Sequence, residues 1–420
     1  MTLTKLKTAP AEKQIGALFA FTIALAFFSS FVFASPREIA AGLLEIVKSR
    51  DVLITDYFTV AGTGAALMNS ALVMLMSVGI IKINKLHFTG ISMAAVFITG
   101  GFALFGKNPL NILPILLGSF IYAKMQKVGF SRYVYIALFA TGLSPLVTEL
   151  VKILPYSFGV NLLLACLAGM LIGYIIPPLA AHTVSMHQGY SLFNVGFATG
   201  IISLVIVSVL RSFGLTINTT LIWHTTHNPV LIWGVLGYFA AVFAYGLWIT
   251  GGIKPLLRLF KHPGRAVADF VLMDGAGPTF MNMALTGIMC MAYIMLIRGE
   301  LSGPVLGAII TIYGFAAFGI HPKNYFPVLL GVYIATYLKI FSASDPAVQL
   351  AALFAAGLSP IAGQYGFFAG IFAGFLHSSV VSYVGYVSGG MNLYNNGFAA
   401  GFVAIIMVPL IESFIQRYTK

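Results

Sequence analysis

Apolar runs of membrane-crossing length follow one another along almost the whole of this sequence, and they leave few options for its fold. Read against their breaks, they give about fourteen candidate helices. These lie near 15–34, 59–81, 89–105, 110–123, 133–150, 160–180, 190–210, 229–250, 270–297, 303–320, 324–340, 347–363, 364–387 and 394–415. A helix needs about 17–25 apolar residues to cross the hydrocarbon core. Only 8% of the 420 residues are charged, against about 25% in an ordinary soluble domain. Water would leave such a surface uncovered, whereas lipid accepts an apolar exterior. The predicted fold is therefore all-α, a polytopic transmembrane bundle that includes some re-entrant segments.

The formal net charge of +12 does not point to nucleic acid, because the basic residues are not clustered into a footprint. Threading the chain with its N-terminus inside places fifteen Lys and Arg on the inner face. They are Lys5, Lys7, Lys13, Lys82, Lys85, Lys124, Lys127, Arg132, Lys254, Arg258, Lys261, Arg265, Lys323, Arg417 and Lys420. Eight fall outside, three of them in the amphipathic segment 37–51 and five isolated. This bias predicts cytoplasmic termini and a bacterial-type inner membrane. The run after Lys13 is long for a signal peptide and reads as a retained first helix. Cys166 and Cys290 read as small buried hydrophobes, with no disulfide or metal framework.

A second constraint is an internal duplication. At a shift of 213, Asp56 meets Asp269, Gly62 meets Gly275, Gly64 meets Gly277, and Met68-Asn69 meets Met281-Asn282. Phe105-Gly106 meets Phe318-Gly319, and Pro109, Asn111 and Pro114 meet Pro322, Asn324 and Pro327. Two residues further out of step, Gly142-Leu143-Ser144-Pro145 meets Gly357-Leu358-Ser359-Pro360. After an insertion, Leu192, Asn194, Gly196-Phe197 and Gly200 meet Leu393, Asn395, Gly397-Phe398 and Gly401. The halves are predicted as 1–228 (lead helix 15–34, repeat 56–210) and 229–420 (lead helix 229–250, repeat 269–415). Seven spans per half would turn the second half over in the membrane, an arrangement that recurs in secondary transporters.

In lipid, a broken helix survives only inside protein or beside a cavity, so shared breaks are the candidate sites. Ser144-Pro145 and Ser359-Pro360 free a backbone carbonyl inside an apolar run. Glu149 and Gln364 follow four residues later, and a carboxylate at that depth needs a partner or a function. Asn69 and Asn282 require both ends of their amides satisfied. They are expected either to bond between helices or to meet near the midplane and hold a polar solute. Asn194, Asn395 and Asn396 sit in glycine-rich stretches suited to opening a helix toward a ligand. Asp274 and His187 are candidates for coupling to a proton or ion. His224 and His227 alone make no metal site, and none is expected. No catalytic motif is present.

Met68-Asn69-Ser70-Ala71-Leu72 and Met281-Asn282-Met283-Ala284-Leu285-Thr286-Gly287 resemble the Asn-Asn-Pro-Leu-x-Gly segment of urea transporters. Leu393-Tyr394-Asn395-Asn396-Gly397-Phe398 resembles their Gly-x-Tyr/Phe-Asn-Gly stretch. Neither copy has the Asn-Asn-Pro triplet, and about 125 residues separate Asn69 from Asn194, far more than in that family. The resemblance implies two inverted halves with a slot between them. Asp274-Gly275-Ala276-Gly277-Pro278-Thr279 is a distant echo of the Ser/Thr-Gly-Ala-Thr motif of sodium-pumping quinone reductase subunits, which implies a flavin on Thr279. The whole chain also resembles a bacterial multi-pass family to which no activity is assigned. The expectation is a transporter or channel for a small neutral or weakly charged solute, in the lipid bilayer, without cofactor, and open to homo-oligomer formation. A flavin-carrying ion pump and a lipid-handling protein or enzyme are the rivals.

Overall fold

The computed structural model describes residues 7–419 except Leu53 and Asn218; nothing is said of the side chains at 387 and 416–419. Lys5 and Lys420 of the charge count thus lie outside the described residues. The protein is all-helical and membrane-embedded: ten stretches of the described residues, eight single helices and two interrupted ones, are long and apolar enough to span a bilayer. The first half runs α1 (Ala11–Phe33), α2 (Pro36–Lys48), α3 (Tyr57–Ile83), α4 (Gly90–Phe102), α5 (Leu113–Met125), α6 (Val134–Ala140), α7 (Ser144–Ile153), α8 (Phe158–His187) and α9 (Asn194–Ser212). The second runs α10 (Pro229–Thr250), α11 (Lys254–Leu259), α12 (Phe270–Asp274), α13 (Ala276–Leu296), α14 (Gly303–Phe315), α15 (Pro322–Leu338), α16 (Pro346–Phe354), α17 (Ser359–Tyr365), α18 (Phe367–Val387) and α19 (Asn395–Thr419).

The element order repeats, and so do its irregularities. Gly62 kinks α3 at φ 81°, and Gly275 divides α12 from α13 at φ 90°. Both positions need the left-handed region, which glycine enters without steric cost. α2 is amphipathic and carries a Ser35–Glu38 capping box, the reciprocal bonding that starts a helix cleanly. Its counterpart α11 is shorter and was not visible as an apolar run.

Two expected spans stop early. The runs 89–105 and 303–320 yield α4 and α14, of 13 residues each, about 20 Å of helix. The chain turns where Gly106 and Gly319 take positive φ, and Asn111 and Asn324 donate to their carbonyls at 3.1 and 2.9 Å. The runs 133–150 and 347–363 are likewise interrupted, by 3-10 turns at Thr141–Leu143 and Ala355–Leu358. The proline after each turn supplies no N–H for a continuous helix.

Outer pairs of helices lock by backbone contact. A Cβ on Gly118 of α5 would lie 1.9 Å from the Met170 carbonyl oxygen of α8, and one on Gly173 would lie 1.9 Å from that of Ile115. Gly331 and Gly374 repeat the arrangement between α15 and α18, at 2.0 Å. Without a hydrophobic force between helices in lipid, such close approach is what holds them together.

The halves meet through α4 and α14, which run antiparallel. Gly90 lies against Ala317, Gly101 against Gly307, and Leu104 against Gly303. Gly90 N–H donates to Asp269 at 3.0 Å, and Gly303 N–H donates to Asp56 at 3.1 Å. These are one bond made twice, since 56 pairs with 269 and 90 with 303 in the alignment. The connecting stretch after α9 is pinned at one end of this seam. Ile222 N–H donates to the Ile54 carbonyl and the Ile222 carbonyl accepts from Asp56 N–H, while His224 N–H donates to the Asp56 carboxylate at 3.0 Å.

Candidate functional site

The broken segments of the two halves converge at the centre. The 3-10 turns leave the Gly142 and Gly357 carbonyls free. Leu393 N–H donates to Gly142 at 3.1 Å and Leu192 N–H to Gly357 at 2.9 Å, so each half closes the other's break. The ring of Tyr394 covers Gly142 and that of Phe193 covers Gly357. Phe102 packs on Tyr394 at 4.9 Å, and its counterpart Phe315 packs on Phe193 at 4.9 Å. Gly196 and Gly397 bring the first turns of α9 and α19 into backbone contact. Between these groups is a cavity of about 10 Å³, lined by Phe102, Phe193, Thr311, Phe354, Tyr394 and Asn396 among others. That is room for about one water.

The predicted residues divide. Ser144 donates to Gly106 at 3.3 Å and Ser359 to Ala356 at 2.7 Å; with Pro145 and Pro360 they form the buried breaks themselves. Asn396, 9% exposed, lines the cavity and pairs with His377 at 3.2 Å. Asn395 accepts from Ser388 at 2.8 Å, and its amide nitrogen has no partner among the described residues. Asn194 is spent on Ala180, Thr183 and His187. His187 accepts Gly189 N–H on Nδ1 at 3.2 Å and faces Asn194 through Nε2 at 2.9 Å. It organises the turn before α9.

Asn69 and Asn282 do not meet. Asn69 donates to the Ala103 and Lys107 carbonyls, and Asn282 to those of Ala316 and Ile320, at 2.7–2.8 Å. Each ties down the frayed end of the neighbouring short helix. Because α4 and α14 are antiparallel, these ends lie about 20 Å apart. Glu149 and Gln364 also lie away from the centre. Gln364 is exposed, and buried Glu149 takes a bidentate ion pair from Arg50, with Nη2 to Oε2 at 2.7 Å. Asp274 pairs with His262 at 3.0 Å. Thr279 is buried and donates to Gly275, which leaves no surface for attaching a flavin.

Beside Arg50 lies Asp51, wholly buried in the loop before α3. It accepts from Tyr57 Oη at 2.6 Å and from Asn111 Nδ2 at 3.3 Å. Burial pushes its carboxyl up to about 7, with the Tyr57 and Thr148 hydrogen bonds pulling the other way. The folded state then holds a proton that the unfolded chain releases near 3.8, so stability falls as pH rises through this window. Asp51→Asn is expected to flatten the difference in melting temperature between about pH 5.5 and about pH 8. An unchanged slope in the variant would place the titration elsewhere.

Sequence reasoning missed Lys107. Threading the chain leaves it among the five isolated outer cations, yet it is fully buried after α4. Its Nζ lies 5.1 Å from the centre of the Phe102 ring and 5.6 Å from that of Tyr394. Nζ has no hydrogen-bond partner among the described residues. The available signal was the repeat itself, because the aligned residue is Ile320.

A family described as "Protein of unknown function (DUF1576)" matches residues 35–212 and 250–413, most of the chain. The break in the match falls on the connecting stretch and most of α10. No curated protein and no solved structure matches the chain.

Proposed function

The chain belongs to the DUF1576 family, and we propose that it is a transporter or channel for a small solute, with a path between two halves inverted across a bacterial-type cytoplasmic membrane. The supporting observation is the reciprocal closure of the two helix breaks, Leu393 on Gly142 and Leu192 on Gly357. Irregular backbone at membrane depth is tolerated where it is buried in protein or borders a cavity, and here both copies bring it to one point. The antiparallel packing of α4 and α14 supports a pseudo-two-fold axis that runs across the helices. An axis lying in the membrane plane turns one half upside down relative to the other, as in inverted-repeat transporters. Cytoplasmic termini follow from the charge bias.

The structure described is closed, and Phe193 and Tyr394 narrow its centre. Purified protein in liposomes is expected to speed the passage of urea, glycerol or formate over protein-free vesicles. The double variant Phe193→Ala, Tyr394→Ala is expected to pass them faster, because the two rings that fill the centre are gone. If neither form outpaces empty vesicles, the reading fails.

One observation favours lipid handling instead. A largely apolar groove of about 220 Å³ lies between α1 and α10, and a relay of hydroxyls crosses it: Thr22 to Tyr238 at 2.7 Å and Tyr238 to Tyr313 at 3.0 Å. Copurified lipid lost in Tyr238→Phe, with no solute flux in either form, would favour it.

A further inference from the structure

The two lead helices do not close on each other along their length. α1 and α10 run antiparallel and meet at mid-length, where Thr22 bonds Tyr238 at 2.7 Å and Phe21 stacks on the same ring at 6.0 Å. To one side of this waist lies the groove of about 220 Å³ that the hydroxyl relay crosses. To the other lies a second apolar groove of about 260 Å³, lined by buried Leu18 and Val242 and by exposed Phe21. The duplication relates the two. At the shift of 213, Leu18, Phe21 and Val242 align with Leu231, Gly234 and Ser29, which line the first groove. The fold thus places one lipid-facing groove in each half of the membrane's depth.

The mouths of the grooves differ. The second groove opens where α1 begins. Lys13 stands one turn before Ala17, on the same face of α1, and Ala17 lines the groove. Lys7 lies over the Trp248 ring at 5.8 Å, so the segment before α1 reaches across to α10 at this end. Both lysines are exposed, and neither is ion-paired among the described residues. The adjacent Glu12 is already taken by Lys82 and His87. At the same shift the two lysines align with Thr220 and Thr226, so building the groove does not itself require cations.

The depth fits one leaflet. Thr22 is midway along α1, and Lys13 stands nine residues from it. That is about 14 Å of helix, against about 15 Å for half the hydrocarbon core. The groove runs from mid-membrane to the level where headgroups begin, and long lysine side chains reach the phosphates from there.

We infer that this second groove is a binding site for one phospholipid with an anionic headgroup. An acyl chain lies between α1 and α10, and the headgroup meets Lys7 and Lys13. The apolar trough accepts any chain, and the two unpaired lysines make the selection. The site uses no residue of the central breaks, so it stands or falls independently of the transport reading.

The test is native mass spectrometry of the full chain in detergent. Phosphatidylglycerol and phosphatidylcholine with the same dioleoyl chains are the probes. The wild type is expected to retain one phosphatidylglycerol per chain, at least tenfold in preference to phosphatidylcholine. Lys7→Gln and Lys13→Gln, both at exposed positions, should each lower phosphatidylglycerol retention about fivefold and leave phosphatidylcholine unchanged. Ala241→Trp, on the exposed wall of the groove, should reduce both lipids, because the indole takes the place of the chain. Equal retention of the two lipids by the wild type overturns the headgroup site. So does a Lys7→Gln, Lys13→Gln double variant that keeps the preference. An Ala241→Trp protein that holds phosphatidylglycerol like the wild type places the chain elsewhere and overturns the groove.

Discussion

Asp56→Ala is expected to leave little or no folded protein. Asp56 is buried and accepts from Phe58 N–H at 2.8 Å, His224 N–H at 3.0 Å and Gly303 N–H at 3.1 Å. Alanine would strand two buried donors, Phe58 and Gly303 N–H, at about 1–3 kcal/mol each, and the half-buried His224 N–H besides. The sum reaches into the range of about 5–15 kcal/mol of net stability typical of a soluble domain. The loss covers three structures at once: the start of α3, the start of α14 and the docking of the connecting stretch. Asp269→Ala should be comparably severe, since Asp269 takes Gly90, Ile91, Val271 and Leu272 N–H groups. Asp56→Asn keeps an acceptor and should be milder. Size-exclusion profiles and melting curves in detergent rank the three. An Asp56→Ala protein that melts within a few degrees of wild type would mean that the halves do not depend on this contact.

Gly101→Val is the second large effect, and Gly307→Val is its mirror. A Cβ on Gly101 would lie 2.4 Å from the Gly307 carbonyl oxygen, and one on Gly307 would lie 2.4 Å from that of Gly101. The obstacle in each case is backbone, so no side chain can turn aside. α4 and α14 would have to separate, and with them the two Asp-capped helix starts. The expected cost is more than about 3 kcal/mol, beyond ordinary overpacking. Gly79→Ala is the control, because nothing stands within 4 Å of its would-be Cβ. There a helix gains about 0.5–1 kcal/mol from losing glycine. If Gly101→Val behaves like Gly79→Ala, α4 and α14 are not in contact as described.

Much of the fold was legible because apolar runs and their breaks are strong signals in a chain of lipid-embedded helices. The 229–250 run matches α10 at both ends. The aligned Gly, Pro and Asn residues mark equivalent bonds, as the Asn69 and Asn282 tethers do. What did not come through was depth. Hydropathy carries a run such as 303–320 past Phe315, because the residues of the turn are also apolar and only Gly319 signals the bend. Pairing was equally hidden. Glu149 reads beside Lys152 in sequence, but its partner is Arg50, 99 residues away. Lys107 was misplaced for a related reason: a single cation between two short apolar runs reads as a loop, and only its mismatch with Ile320 singles it out.

The stretch that joins α9 to α10 crosses one end of the α4–α14 seam and is bonded to Ile54 and Asp56 there; at the other end of the seam Asp269 accepts only from Gly90, Ile91, Val271 and Leu272 N–H groups among the described residues. On the transport reading proposed above, the two ends of the seam would then not loosen with equal ease: a hinge fastened on one side favours swinging from the other, so the protein would work with a built-in preference of side.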